Sequence, residues 1–195
     1  MINKRVFNLS NKSILLYSGL LGVILFLALG YFNKPLVTEV APNGIVSFEL
    51  AKDINTSISI ISSWDLNAKI NAGLSLGIDF LYLVIYSIFF ATSCYLISQK
   101  YINKNNWMFK TGLLLAKLQF VAALFDAIEN IALIKLLIGS NNGIYSSIAF
   151  YFASIKFLII ALGIVYIIIG FIIMIFQKRF KTKKSARRIQ ISKIL

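Results

Sequence analysis

The chain has no histidine and a single cysteine among its 195 residues. Without histidine it lacks the side chain that most often moves protons near neutral pH and most often ligates metals. Cys94 cannot close an intrachain disulfide, so cysteine usage says nothing about redox compartment. A structural zinc site is excluded for want of Cys and His ligands. Acidic residues are scarce too, 7 against 20 lysines and arginines, for a net charge of +13. No phosphate-cradling glycine loop, metalloprotease motif or nucleophile elbow occurs, and no cofactor is expected.

Apolar residues are abundant. They make up 58% of the chain, against roughly 45–50% in soluble domains. Four stretches approach or exceed the roughly 20 residues that a membrane helix needs. Residues 14–32 are uncharged, and 74–98 are broken only by Asp79. Residues 111–138 carry Lys117, Asp126, Glu129 and Lys135, and 145–176 carry Lys156 alone. The expected fold class is therefore all-α, a polytopic four-transmembrane-helix bundle forming one membrane domain over residues 1–195. The first stretch has a basic flank (Lys4, Arg5, Lys12) and small residues at Ala28 and Gly30, as signal peptides do. Its apolar run is longer than the roughly 7–15 residues of a signal-peptide core, which predicts an uncleaved anchor.

Charge then predicts orientation. The segment before the first stretch holds three positive charges, and the loop 33–73 holds three against four acids. The second loop holds Lys100, Lys104 and Lys110, the third holds none, and the basic tail 177–195 holds eight. Positive charge alternates with topology. The positive-inside rule puts both termini and the second loop in the cytoplasm of a multi-pass protein of the plasma (inner) membrane. Orientation accounts for the basic bias without nucleic acid. The expected partner is the lipid bilayer, with anionic headgroups suited to the tail.

The loop 33–73 is too long for a plain turn. Pro42-Asn43-Gly44 signals a turn, and Ile45–Ala51 is apolar apart from Ser47 and Glu49. Asn55 or Thr56 is placed to cap a second short helix whose face would carry Ile58, Ile61 and Trp64. Tryptophan favours the membrane interface, so short interfacial helices in this first outer loop are expected.

Charges within a span cost roughly 2.5–3.5 kcal/mol each at the helix centre and so call for partners. Counted from the outer helix ends at 1.5 Å per residue, Asp79, Glu129, Asp126 and Lys156 fall roughly 8, 14, 18 and 15 Å deep. Asp126, Glu129 and Asn130 share one helix face, with Gln119 two turns earlier. Ser75, Asp79, Tyr82 and Tyr86 form a stripe on the second helix. Lys156, Gly163 and Gly170 recur every seventh residue on the fourth. Lys135 and Lys117 are near enough to the ends to snorkel. The expected cluster is Asp79, Tyr82, Asp126, Glu129, Asn130 and Lys156, with Glu49, and Trp64 beside it, as outer-loop contributors. Three carboxylates face one lysine, so at least one is expected to hold a proton unless Lys135 joins.

The segments Gly44-Ile45-Val46-Ser47-Phe48-Glu49-Leu50-Ala51, Gly77-Ile78-Asp79-Phe80-Leu81-Tyr82 and Phe125-Asp126-Ala127-Ile128-Glu129-Asn130 carry a family likeness. Together with Trp64 and Tyr86, their order resembles a pattern of small bacterial integral membrane proteins with no assigned activity. The resemblance spans a little under half the chain and implies a four-helix membrane protein and no particular chemistry.

Several functions are open to such a cluster. It could bind a small ligand or relay protons from an outward-facing pocket. Its carboxyls could serve as general acid and base in a membrane-embedded enzyme acting on a lipid or isoprenoid. Its oxygens could hold a hard cation. As a structural or partner-binding subunit, it would need the cluster only to fix helix packing.

Overall fold

The computed structural model describes residues 4–102 and 106–191; Lys104 of the second loop and Lys193 of the tail lie outside them. Six α-helices and one 3-10 turn, with no strand among the described residues, make up the chain: α1 (Lys4–Asn33), the turn Lys34–Leu36, α2 (Ile45–Glu49), α3 (Ile54–Ser63), α4 (Leu66–Gln99), α5 (Asn106–Leu137) and α6 (Gly143–Ile191). Three segments are long and apolar enough to cross a membrane: Asn11–Leu36, Leu66–Gln99 and Gly143–Phe176. The charged α5 is not among them.

Short links between α4, α5 and α6 make these neighbours antiparallel, with α5 packed on both flanking helices. α1 leans on α4 and makes little contact with α6. Gly139, at φ +100, ends α5 in the left-handed region, and the Ser140 amide donates back to the Lys135 carbonyl at 3.0 Å.

The second helix begins eight residues before the expected start at 74. The Asp65 carboxylate accepts from the Ala68 amide at 2.7 Å and starts the helix there. The linking segment is thereby reduced to 34–65. It folds as a cap over one end of α4, α5 and α6, hereafter the cap end. The basic tail continues α6 as helix to Ile191.

Within the cap, α3 starts at Asp53 rather than at Asn55 or Thr56. The Asp53 carboxylate accepts from the Thr56 amide at 3.0 Å and from its hydroxyl at 2.7 Å, and these bonds hold it below the ordinary carboxyl range. The buried face also differs from the expected one. Ser57, Ile60 and Trp64 are buried, while Ile58 is exposed and Ile61 half-buried. Ser57 meets the Ser146 hydroxyl of α6 at 2.9 Å. Trp64, only 2% exposed, sits edge-on to Phe48 at 5.4 Å and donates to the Leu36 carbonyl at 2.9 Å. It is a core residue of the cap, not an exposed interfacial anchor. Leu36, Phe48, Ile60 and Trp64 join Ala72 and Leu76 of α4, Leu133 and Leu136 of α5 and Ala149 of α6 in one core.

A second core closes the opposite, tail end around Cys94, Tyr101, Met108, Leu115 and Tyr166. Tyr101 donates to the Gly170 carbonyl and Tyr166 to that of Met108, each at 2.9 Å. Between these two cores the middle of the bundle is thinly filled, by Leu83, Tyr86 and Ala123.

Candidate functional site

Under the cap, Lys156 of α6 reaches toward three carboxylates from two other elements. Its Nζ donates to Asp126 Oδ1 of α5 at 2.5 Å and lies 2.7 Å from Glu129 Oε2, one turn along. Glu49 Oε2, at the end of α2, is 3.8 Å away. Spacing of i and i+3 on α5 puts Asp126 and Glu129 on the face turned to α6. All four are buried, Glu129 completely. Tyr86 of α4 donates to the other oxygen of Asp126 at 2.9 Å.

Asp79 stands apart. It is half-buried on α4 and accepts from Asn130 Nδ2 at 2.7 Å. Among the described residues it has no ion-pair partner. The cluster thus divides into a buried ion-paired part (Lys156, Asp126, Glu129) and a carboxylate with no cation.

Glu49 is brought in by the local geometry of the cap. Gly44 adopts φ +60, where a side chain would be strained and its Cβ would collide with the Asn33 carboxamide. Asn33 Oδ1, at the end of α1, accepts from the Ile45 amide at 2.8 Å and so ties α2 to α1. This places Glu49 beside the cluster, 3.8 Å from Lys156. Burial pushes its carboxyl above the ordinary value, with Lys156 pulling the other way. Glu49 Oε2 and both Glu129 oxygens are buried without an aligned hydrogen-bond donor.

Beside the cluster lies a cavity of about 480 Å³. Its polar end is formed by Glu49, Asp79, Asp126, Asn130 and Lys156, and Glu129 stands behind them, outside the lining. Its walls are apolar, including Phe26 and Leu29 of α1, Phe90 of α4, and Phe157, Ile160 and Ile164 of α6. Two lining residues, Phe26 at 63% and Phe157 at 39%, are exposed, and α1 and α6 make little contact with each other. A smaller void of about 190 Å³ continues along the α1–α4 seam and shares Phe26, Tyr82, Tyr86 and Phe90 with the first.

Five of the six cluster residues therefore converge by direct contact: Asp79 with Asn130, and Asp126 and Glu129 with Lys156. Tyr82 lines the cavity and sits 5.4 Å from the Tyr86 ring, but Tyr86, seven residues after Asp79 on the same stripe, is the phenol that bonds a carboxylate. That i, i+7 spacing was the signal for Tyr86 in the sequence. Trp64 does not line the cavity. Lys135 and Lys117 are exposed and stay out of the cluster, and Gln119, fully buried, bonds to the Ile159 carbonyl instead. The carboxyls form no metal-binding group among the described residues.

Compared with known proteins, the chain matches no family model, no curated protein and no solved structure.

Proposed function

We propose that this is a multi-pass plasma-membrane protein of four spanning helices, α1, α4, α5 and α6, that binds a small ligand in a pocket opening sideways into the outer half of the bilayer. One observation carries the reading: the cavity of about 480 Å³, apolar along its walls and charged at one end. Such a volume and lining are typical of small-molecule sites.

The crossing of α5 is supported by connectivity. Its 32 residues extend about 48 Å and return the chain from the end of α4 to the start of α6. Wherever α4 and α6 cross, α5 must cross between them. Its acids face Lys156, and its lysines at 117 and 135 face out toward the two ends. The cap then lies on the outer surface, and the termini lie in the cytoplasm, where the basic tail meets anionic headgroups. The sequence pattern of small bacterial membrane proteins agrees with this arrangement. In cells, Ser140→Cys should react with a membrane-impermeant maleimide and Lys100→Cys only after permeabilisation. Labelling of both from one side would sink the four-span topology.

Ligand binding is tested by plugging the pocket. Gly30 lines it, and a Cβ there meets nothing within 4 Å. Gly30→Phe should therefore fold normally and fill the void. Wild-type protein should bind the neutral apolar dye N-phenyl-1-naphthylamine saturably at one site, and Gly30→Phe should not. Absence of saturable wild-type binding would remove the pocket reading. A second reading is favoured by the position of Asp79: an unpaired carboxylate at the head of a sideways groove suits a general base acting on a lipid or isoprenoid. The ion pairs favour a packing role for Lys156 and Glu129 whichever reading holds.

A further inference from the structure

Resting on the pocket reading above, we infer that the occupant is a cationic amphiphile: an ammonium head held by Asp79 and Glu49, with its apolar body in the cavity and its chain along the α1–α4 seam.

The sign of the head follows from the charges at the polar end. Three carboxylates and one lysine line it, with Glu129 a fourth acid behind. Lys156 is already engaged by Asp126 at 2.5 Å and Glu129 at 2.7 Å, so it has little left to offer an anion. The acids are not saturated. Asp79 has no cation among the described residues, and Glu49 Oε2, which also lines the pocket and lies 3.8 Å from Lys156 Nζ, is buried with no hydrogen-bond donor. Glu49 is only 9% exposed, yet it lines the cavity. A buried acceptor without a donor costs about 1–3 kcal/mol, more if charged, and an ammonium group supplies up to three donors and the missing charge. A carboxylate or phosphate head would instead meet uncompensated like charge.

The shape of the voids selects an amphiphile over a small amine. From Asp79 the lining continues to Phe90, about 16 Å further along α4, and the seam void extends it past Gly22 and Gly19. These walls are hydrocarbon and aromatic, and the mouth between Phe26 and Phe157 faces the region that lipid would occupy. Access from the bilayer lets such a molecule enter without leaving an apolar medium.

The test uses the full chain in zwitterionic-lipid nanodiscs near neutral pH. Three probes of equal chain length are compared: dodecylammonium, dodecanol and dodecyl sulfate. The specific signal is the saturable component absent from Gly30→Phe. Dodecylammonium should bind at least about tenfold more tightly than dodecanol, and dodecyl sulfate should bind weakest. Asp79→Asn and Glu49→Gln, each checked for a native elution profile, should each weaken dodecylammonium and leave dodecanol unchanged. If dodecanol binds as tightly as dodecylammonium, the pocket stands and the cationic head is wrong. If dodecyl sulfate binds tightest, Lys156 sets the ligand class and the inference is overturned. Preference for dodecylammonium that neither variant weakens would place the head elsewhere and overturn it as well. If no probe binds saturably, the pocket reading itself falls.

Discussion

Removing Lys156, the one buried cation among the described residues, should strand charge in the bundle. Lys156 is 4% exposed, and its Nζ lies 2.5 and 2.7 Å from two carboxylates and 3.8 Å from a third. Lys156→Met keeps an unbranched side chain of similar reach but leaves Asp126 and Glu129 facing each other without a counter-charge. Breaking a buried pair from one side costs about 3–5 kcal/mol. At this chain length each kcal/mol is worth about 2–4 °C, so the midpoint of thermal unfolding should fall by about 6–20 °C. The measurement is tryptophan fluorescence or circular dichroism on heating in one mild detergent near neutral pH. The decisive comparison is the triple variant Lys156→Met, Asp126→Asn, Glu129→Gln. It removes the cluster's charges on α6 and α5 and leaves Glu49, which faced Lys156 at 3.8 Å, as the remaining acid; an amide at 126 still accepts from Tyr86, which now donates at 2.9 Å. Neutral replacement of a whole buried ionic group is often close to energetically neutral, so the triple variant should regain most of the loss. A single variant within about 2 °C of wild type would refute the drawn cluster. So would a triple variant no more stable than the single one.

Other perturbations test the parts that position the site. Burial raises the Glu49 carboxyl, so the folded chain binds protons more strongly there than the unfolded chain does. Its contribution is fully present below the ordinary value near 4.5 and is lost as pH rises, with Lys156, Asp126 and Glu129 facing it. Glu49→Gln should therefore gain on wild type in unfolding temperature as pH rises from acid to neutral; a gap that moves the other way would contradict the assignment. Gly112→Ala should destabilise by about 1–3 kcal/mol in thermal melts, because its Cβ meets Ser98 Cβ at 2.6 Å as well as the Tyr166 hydroxyl. Trp64→Phe leaves the Leu36 carbonyl without its donor and should cost about 1–3 kcal/mol in the same melts. Asn33→Ala frees the Ile45 amide that ties α2 to α1, so amide exchange across α2 should rise selectively while α5 keeps its protection.

Helix periodicity put Asp126, Glu129 and Asn130 on one face of a long regular helix, whereas the depth expected for Asp79 was counted from residue 74 and α4 begins eight residues earlier, at Leu66. A residue's face on such a helix follows from its number alone. The cap resisted the same reasoning. α3 starts at Asp53 rather than Asn55, and its docked face buries Ile60 where Ile58 was expected. Nothing in local propensity distinguishes the two starts, since Asp and Asn cap about equally well. Trp64 illustrates a different gap: its indole finds a carbonyl 28 residues away, a tertiary contact that no local pattern encodes. That α1 makes little contact with α6 is likewise a matter of packing.

The charges of α5 carry one more consequence. Lys117, Asp126, Glu129 and Lys135 make it too polar to count as a membrane helix by composition, and an isolated helix would bear the full insertion cost of its two central acids. The cost is offset only when α6 presents Lys156 at the matching height and α4 presents Tyr86. Asp126 and Glu129 thus make α5 dependent on its neighbours, whereas α1, uncharged from residue 13 to 33, needs none of them electrostatically. That asymmetry explains the architecture: α4, α5 and α6 are locked to each other by charge and by the two end cores. α1 rests on α4 through the small residues Gly19 and Gly22, against Phe89 and Ile85. The pocket lies between this three-helix unit and α1, with Lys156 and Asp126 of the ion-paired group in its lining.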